Sequence, residues 1–141
     1  MIVADTGAIV ALVDADDRHH RALGRLFERA PDEWVLPWAI LPEVDYLLAA
    51  HVGSKAEERF VADLASGAWA VEWGDPADLV RADEIARRHR ALRLGLVDAV
   101  VMAMAERRRA DAIATLDLRH FGAVTLRVRP GLLPRDLDDE T

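Results

Sequence analysis

The chain has 141 residues, 52% of them hydrophobic and 30% charged, which suits a single globular domain with a sizeable core. Cysteine is absent, so a disulfide framework, a zinc–cysteine site and thiol catalysis are excluded, and a reducing cytoplasm is the expected compartment. The net charge of −7 argues against wholesale adhesion to nucleic acid, but it leaves room for an enzyme with a local basic surface.

Ile2 to Asp5 is expected to form the first strand, apolar on both faces as in a central parallel strand. The apolar start is interrupted by Asp5 and no basic segment precedes it, so a core strand fits better than a secretory signal. After the turn Asp5-Thr6-Gly7 a helix is expected through Ala8 to Val13, and a second near Arg18 to Ala30 with Ala22, Leu23, Leu26 and Phe27 on one stripe. Trp34-Val35-Leu36 is a short second strand ended by Pro37. The helix from about Ala39 to Val52 contains Pro42, which only its first turn accommodates. Ser54 with Glu57 resembles a capping box for the next helix.

Ala68 to Trp73 is strand three, and Asp75-Pro76 caps and opens a helix to about Leu92. Leu94-Gly95-Leu96-Val97 leads into an apolar helix headed by Asp98 and ending near Arg109. Strand four is Ala112 to Thr115, Leu118 to Phe121 is a turn or short helix, and strand five is expected at Val124 to Val128. The domain is therefore drawn over 1–129, with 130–141 as a C-terminal tail. Strands alternating with helices define an α/β fold with a mainly parallel sheet. No apolar stretch approaches the ~20 residues of a membrane span, and no membrane association is expected.

Four acids stand where apolar strands end or apolar helices begin: Asp5, Glu43, Asp98 and Asp117. Carboxylates on such elements are costly to bury unless paired, hydrogen-bonded or bound to a metal. In open α/β sheets, sites form beyond the carboxyl ends of the strands, where Asp5 and Asp117 fall. Converging, the four would make an all-oxygen site for Mg²⁺ or Mn²⁺. Each acid also has a purely structural account, as an Asx turn, a helix cap or an answer to a helix dipole. Asp45 competes with Glu43, because helical spacing does not separate them.

Of the basic residues, Lys55 is the only lysine; arginines cluster at Arg87-Arg88-His89-Arg90, with Arg93 close by, and at Arg107-Arg108-Arg109. The guanidinium fork suits phosphate, although for either cluster taken singly a solvated helix face is the simpler account. The histidines show no zinc pattern; His120, three positions after Asp117, is placed to reach the cleft. The tryptophans Trp34, Trp38, Trp69 and Trp73 sit on or beside strands and fit packing better than base stacking.

Ile2-Val3-Ala4-Asp5-Thr6-Gly7-Ala8, Leu94-Gly95-Leu96-Val97-Asp98-Ala99 and Ile113-Ala114-Thr115-Leu116-Asp117-Leu118-Arg119-His120-Phe121, with the weaker Pro42-Glu43-Val44, form an ordered set. Together they resemble the PIN-domain nucleases and, among these, the VapC toxins of bacterial toxin–antitoxin pairs. The resemblance implies a five-stranded parallel sheet ordered 3-2-1-4-5. It implies metal-site acids at Asp5, Glu43, Asp98 and Asp117, with supporting hydroxyls at Thr6 and Thr115. Gly7 stands where many relatives have serine. The implied activity is Mg²⁺-dependent endoribonuclease cleavage, with Mn²⁺ as a substitute, on transfer or ribosomal RNA. The implied partners are a VapB-type antitoxin and a second copy of the chain. The antitoxin is expected to dock on an apolar surface near Ala8 to Leu12, Leu23 to Phe27 and the Glu43 helix. A PIN-domain RNA-processing nuclease with no toxin role, and a non-catalytic PIN-like RNA-binding module, are the alternatives. The Asp-Thr-Gly tripeptide also marks aspartic proteases, but those are almost wholly β, whereas here it leads into a helix.

Overall fold

The computed structural model describes residues 1–137. Five strands form one parallel sheet in the order β3-β2-β1-β4-β5. They are β1 (Ile2–Ala4), β2 (Trp34–Pro37), β3 (Ala70–Glu72), β4 (Ala112–Ala114) and β5 (Gly131–Leu133). The two central strands, β1 and β4, are buried along their whole length, which accounts for their uninterrupted apolar sequence. Their register pairs Ile2 with Ala112, Val3 with Ile113 and Ala4 with Ala114, so they end level with one another.

Among the described residues seven α-helices connect and cover the sheet: α1 (Thr6–Val13), α2 (His20–Arg29), α3 (Leu41–His51), α4 (Ser54–Ala65), α5 (Pro76–Arg88), α6 (Leu96–Arg107) and α7 (Leu118–Phe121). No helix of the described residues is long and apolar enough to cross a membrane. Helix α6 has a run of buried residues from Ala99 to Glu106, as expected of a helix enclosed on all sides. Pro42 lies in the first turn of α3. Asp75 caps α5 by accepting from the Ala77 N–H, and Asp78 closes the capping box by accepting from the Asp75 N–H. Ser54, by contrast, is the first residue of α4 rather than its cap; Gly53 precedes the helix and no side-chain capping bond forms.

Two expectations are corrected by the packing. Strand five is Gly131–Leu133, inside the segment assigned to the tail, and not Val124 to Val128. Val124 and Leu126 are buried in alternation like strand residues, but the Arg127 N–H donates to Glu106 Oε2 instead of to a neighbouring strand. Residues 138–141 of the expected tail lie outside the described residues. The apolar surface expected to receive a partner is mostly core: Ala8, Ile9, Ala11, Leu23 and Leu26 are buried, and Phe27 packs against Trp34 and Trp69. Trp73, in contrast, is exposed.

The two arginine clusters separate by environment. Arg107 is bound by buried Asp78 and by Glu72, and Arg108 pairs with Glu72. Arg87 pairs with Asp83 along α5, while Arg88 and Arg90 are exposed without an ion pair among the described residues.

Candidate metal centre

The strand ends bring the acids together. Asp5 follows β1 directly, and its N–H continues the ladder to the Ala114 carbonyl at 2.8 Å. Asp117 lies three residues beyond β4 and caps α7, accepting the His120 N–H at 3.1 Å. Asp98 stands in the first turn of α6 and Glu43 in the first turn of α3, near the ends where helix dipoles favour negative charge. All four line one cleft of about 640 Å³, together with Thr6, Gly7, Leu96 and His120. Asp45 is not among its lining residues and lies instead against Glu57 of α4.

Buried Thr115 braces two of these acids. Its hydroxyl donates to Asp5 Oδ2 at 2.9 Å and accepts the Asp117 N–H at 3.1 Å. Thr6, the other hydroxyl expected to support the site, is also buried, but its Oγ1 has no hydrogen-bond partner among the described residues.

Asp5 is 5% exposed, and burial, reinforced by the charges of Asp98 and Asp117, pushes its carboxyl up from 3.8 to about 6. Asp98 is raised too, first by burial and then by Asp117 and Glu43, with His120 opposing. His120 Nδ1 lies 2.8 Å from Asp117 Oδ2 and 3.4 Å from Asp98 Oδ2, and its Nε2 lies 3.0 Å from the Leu92 carbonyl. Every one of these partners is an acceptor, so the imidazolium fits the position, and the Asp117 hydrogen bond holds its pKa above 6.5. Sequence spacing had placed His120 within reach of the cleft; its place between two acids had no signal in the sequence.

Ligand atoms of Asp98, Asp117 and His120 fall within 4.8 Å of one another, and Asp5 and Glu43 line the cleft outside that tight group. The donor set matches a hard divalent cation on three observations: the crowded carboxylate oxygens, the raised proton affinity of Asp5 and the unsatisfied Thr6 hydroxyl beside it.

Fold and cleft together define an α/β protein with an acidic site at the carboxyl ends of its central strands. The chain matches the PIN domain family over residues 2–125 and belongs to that family. It is 34% identical to Ribonuclease VapC26 of Mycobacterium tuberculosis (strain ATCC 25618 / H37Rv) over 123 residues, which cover 87% of this chain and 91% of that protein. The crystal structure of M. tuberculosis VapC20, a Sarcin-Ricin loop cleaving toxin, superposes with a TM-score of 0.78 at 26% identity. That match covers 92% of this chain and all of the VapC20 chain. FitAcB from Neisseria gonorrhoeae shares the fold, with a TM-score of 0.63 at 18% identity over 94% of this chain and 96% of that one.

Proposed function

We propose that the protein is a metal-dependent endoribonuclease that acts as the toxin of a toxin–antitoxin pair. The reading rests above all on the convergence of Asp5, Glu43, Asp98 and Asp117 in one cleft, and it is supported by similarity to a VapC ribonuclease over most of both chains.

Asp5, Asp98 and Asp117 would hold Mg²⁺, or Mn²⁺ in its place, directly or through water, with Glu43 at the rim. The bound ion supplies Lewis-acid activation of the phosphate and lowers the pKa of water. Glu43 is solvent-exposed, and it orients the attacking water or takes its proton. Thr115 holds Asp5 at a fixed angle, and the Thr6 hydroxyl, unpartnered among the described residues, would be free to bond a neighbouring carboxylate or a water once the ion is bound. Water oxygen bonds to phosphorus as the bond to the ribose 3′ oxygen breaks. The departing oxygen takes a proton, leaving 5′-phosphate and 3′-hydroxyl ends.

The same reading includes a cytoplasmic setting, a transfer or ribosomal RNA target, a homodimer and a cognate VapB-type antitoxin. Because much of the surface first expected to receive the antitoxin is buried, its apolar contacts fall on exposed side chains such as Leu96, which lines the cleft, and Leu118, the residue after Asp117. An arginine or lysine of the antitoxin aimed at Asp5 and Asp98 would replace the cation's charge.

The test has two parts. Purified protein should cleave transfer or ribosomal RNA with Mg²⁺ and stop on chelation; failure on every RNA offered contradicts the nuclease reading. Expression alone should arrest growth, and co-expression of the adjacent antitoxin reading frame should relieve it. No relief contradicts the toxin role alone.

A further inference from the structure

A net charge of −7 and four carboxylates at the cleft oppose the approach of a polyanion, so binding an RNA strand requires local positive charge. The arginines divide into two kinds. Arg81, Arg107, Arg108 and Arg135 are engaged in ion pairs with nearby carboxylates. Others, Arg21, Arg25, Arg88 and Arg109 among them, are exposed and make neither an ion pair nor a side-chain hydrogen bond among the described residues; Arg90, Arg93 and Arg119 share that state and adjoin the cleft-lining segments at Gly95 to Val97 and Asp117 to His120.

The backbone carries these three on neighbouring turns. Arg90 to Leu92 form a single 3₁₀ turn after α5, and Arg93 follows with φ 53°, turning the chain into the cleft-lining segment Gly95 to Val97. The Leu92 carbonyl lies 3.0 Å from His120 Nε2, which ties this turn to α7 at the residue next to Arg119. The backbone thus fixes the turn beside the acids, while its guanidinium groups remain unpaired.

We propose that Arg90, Arg93 and Arg119 form a phosphate-binding rim that holds the backbone of a single-stranded or looped RNA across the acidic cleft. The proposal rests on the nuclease reading above and adds where the strand lies. Guanidinium forks bind phosphate oxygens in a bidentate way and carry no base preference of their own. Unpaired arginines next to a phosphodiester-hydrolysing centre are matched to that ligand. An acidic protein segment is the other polyanion such a rim can receive, and the nuclease reading of the adjoining cleft favours the nucleic acid.

The test measures binding separately from cleavage. Affinity for a labelled single-stranded RNA is titrated in EDTA across a range of salt. The proteins compared are wild type, the triple variant Arg90→Gln/Arg93→Gln/Arg119→Gln, and the same three positions changed to lysine. Arg109→Gln is the control, because Arg109 lies past the far end of α6, about 18 Å from its Leu96 end at 1.5 Å per residue. The glutamine triple should bind at least tenfold more weakly, and its log–log salt slope should fall by about 2, from roughly 0.7 per lost phosphate contact. The lysine triple should keep most of the slope, and the control should match wild type. A glutamine triple with wild-type affinity and slope overturns the rim, as does a loss equalled by the control. Weakened binding of a cognate antitoxin with RNA affinity intact makes the surface a protein interface and also overturns it. Failure of wild type to cleave RNA with metal would sink the nuclease reading while leaving the binding result to be judged on its own.

Discussion

The Thr115 hydroxyl donates to Asp5 Oδ2 at 2.9 Å, joining the ends of two central strands across 110 positions of sequence. The same oxygen accepts the Asp117 N–H, so one buried side chain sets the spacing of two acids that follow different strands. Neutral and β-branched, threonine fits the end of a buried strand and still offers both a donor and an acceptor.

Replacing Thr115 with valine keeps the shape and removes both hydrogen bonds. Thr115→Val is expected to lose about 1–3 kcal/mol of stability through the unsatisfied buried groups. Metal affinity or cleavage should drop roughly 10–100-fold, as is usual when a ligand loses its supporting partner. Thr115→Ser should retain most of both. Denaturant unfolding and RNA cleavage check this, and a fully active valine variant contradicts the bracing role.

Burial of Asp5, reinforced by the acids around it, is expected to make the metal-free protein more stable at mildly acidic pH. Between 3.8 and about 6 the folded chain keeps a proton on Asp5 that the unfolded chain has released, so stability falls as pH rises through that window. His120 adds to the trend: its contribution is complete below 6.5 and is lost as pH rises through its higher folded value. Glu72 and Glu106, whose pKa values are lowered by arginine partners, act oppositely, losing their contribution as pH falls below 4.5. In EDTA the melting temperature should therefore be higher near pH 5.5 than at pH 8, as values placed by these shifts. Asp5→Asn should remove much of the difference and melt above wild type under alkaline conditions, by roughly 1–3 kcal/mol, while abolishing cleavage. A flat pH profile for the wild type contradicts a raised Asp5 carboxyl.

His120 is expected to serve as an internal cation rather than as the proton donor of the reaction. His120→Ala should lower the melting temperature in EDTA, because Asp98 and Asp117 lose the positive charge between them. With Mg²⁺ present, cleavage should stay within about tenfold of wild type, below the 10²–10⁴-fold usual for general acid–base catalysis. A larger loss, with the metal still bound, would reassign His120 to proton transfer.

Most of this arrangement was legible where local sequence and tertiary environment agree. Uninterrupted apolar runs marked β1 and β4 because both faces are covered, and Asp5 and Asp117, which follow them by one and three residues, line one cleft. Asp45 and Glu43 share a helix and similar apolar neighbours, so only the path of α3 past the cleft separates them. Strand five was missed because Gly131-Leu132-Leu133 is short, follows a proline and carries little β propensity, whereas Val124 to Val128 carries more. Pairing with β4 decided the outcome. The stripe on α2 was correctly apolar, but sequence does not tell an apolar face packed on its own core from one left for a partner.

Whether the clustered acids hold a catalytic divalent cation is read most directly by a calorimetric titration of Mn²⁺ into metal-free wild type, Asp5→Asn and Asp98→Asn, with RNA cleavage assayed in the same preparations. Wild type should bind and cleave, while both variants should stay folded, lose most of their affinity and show no cleavage above background. Free Mg²⁺ at a hundredfold over its dissociation constant should stabilise wild type by about 2.7 kcal/mol, and the variants by less. Unchanged metal binding in the variants, or cleavage by wild type that persists in EDTA, would contradict a catalytic cation held by these acids.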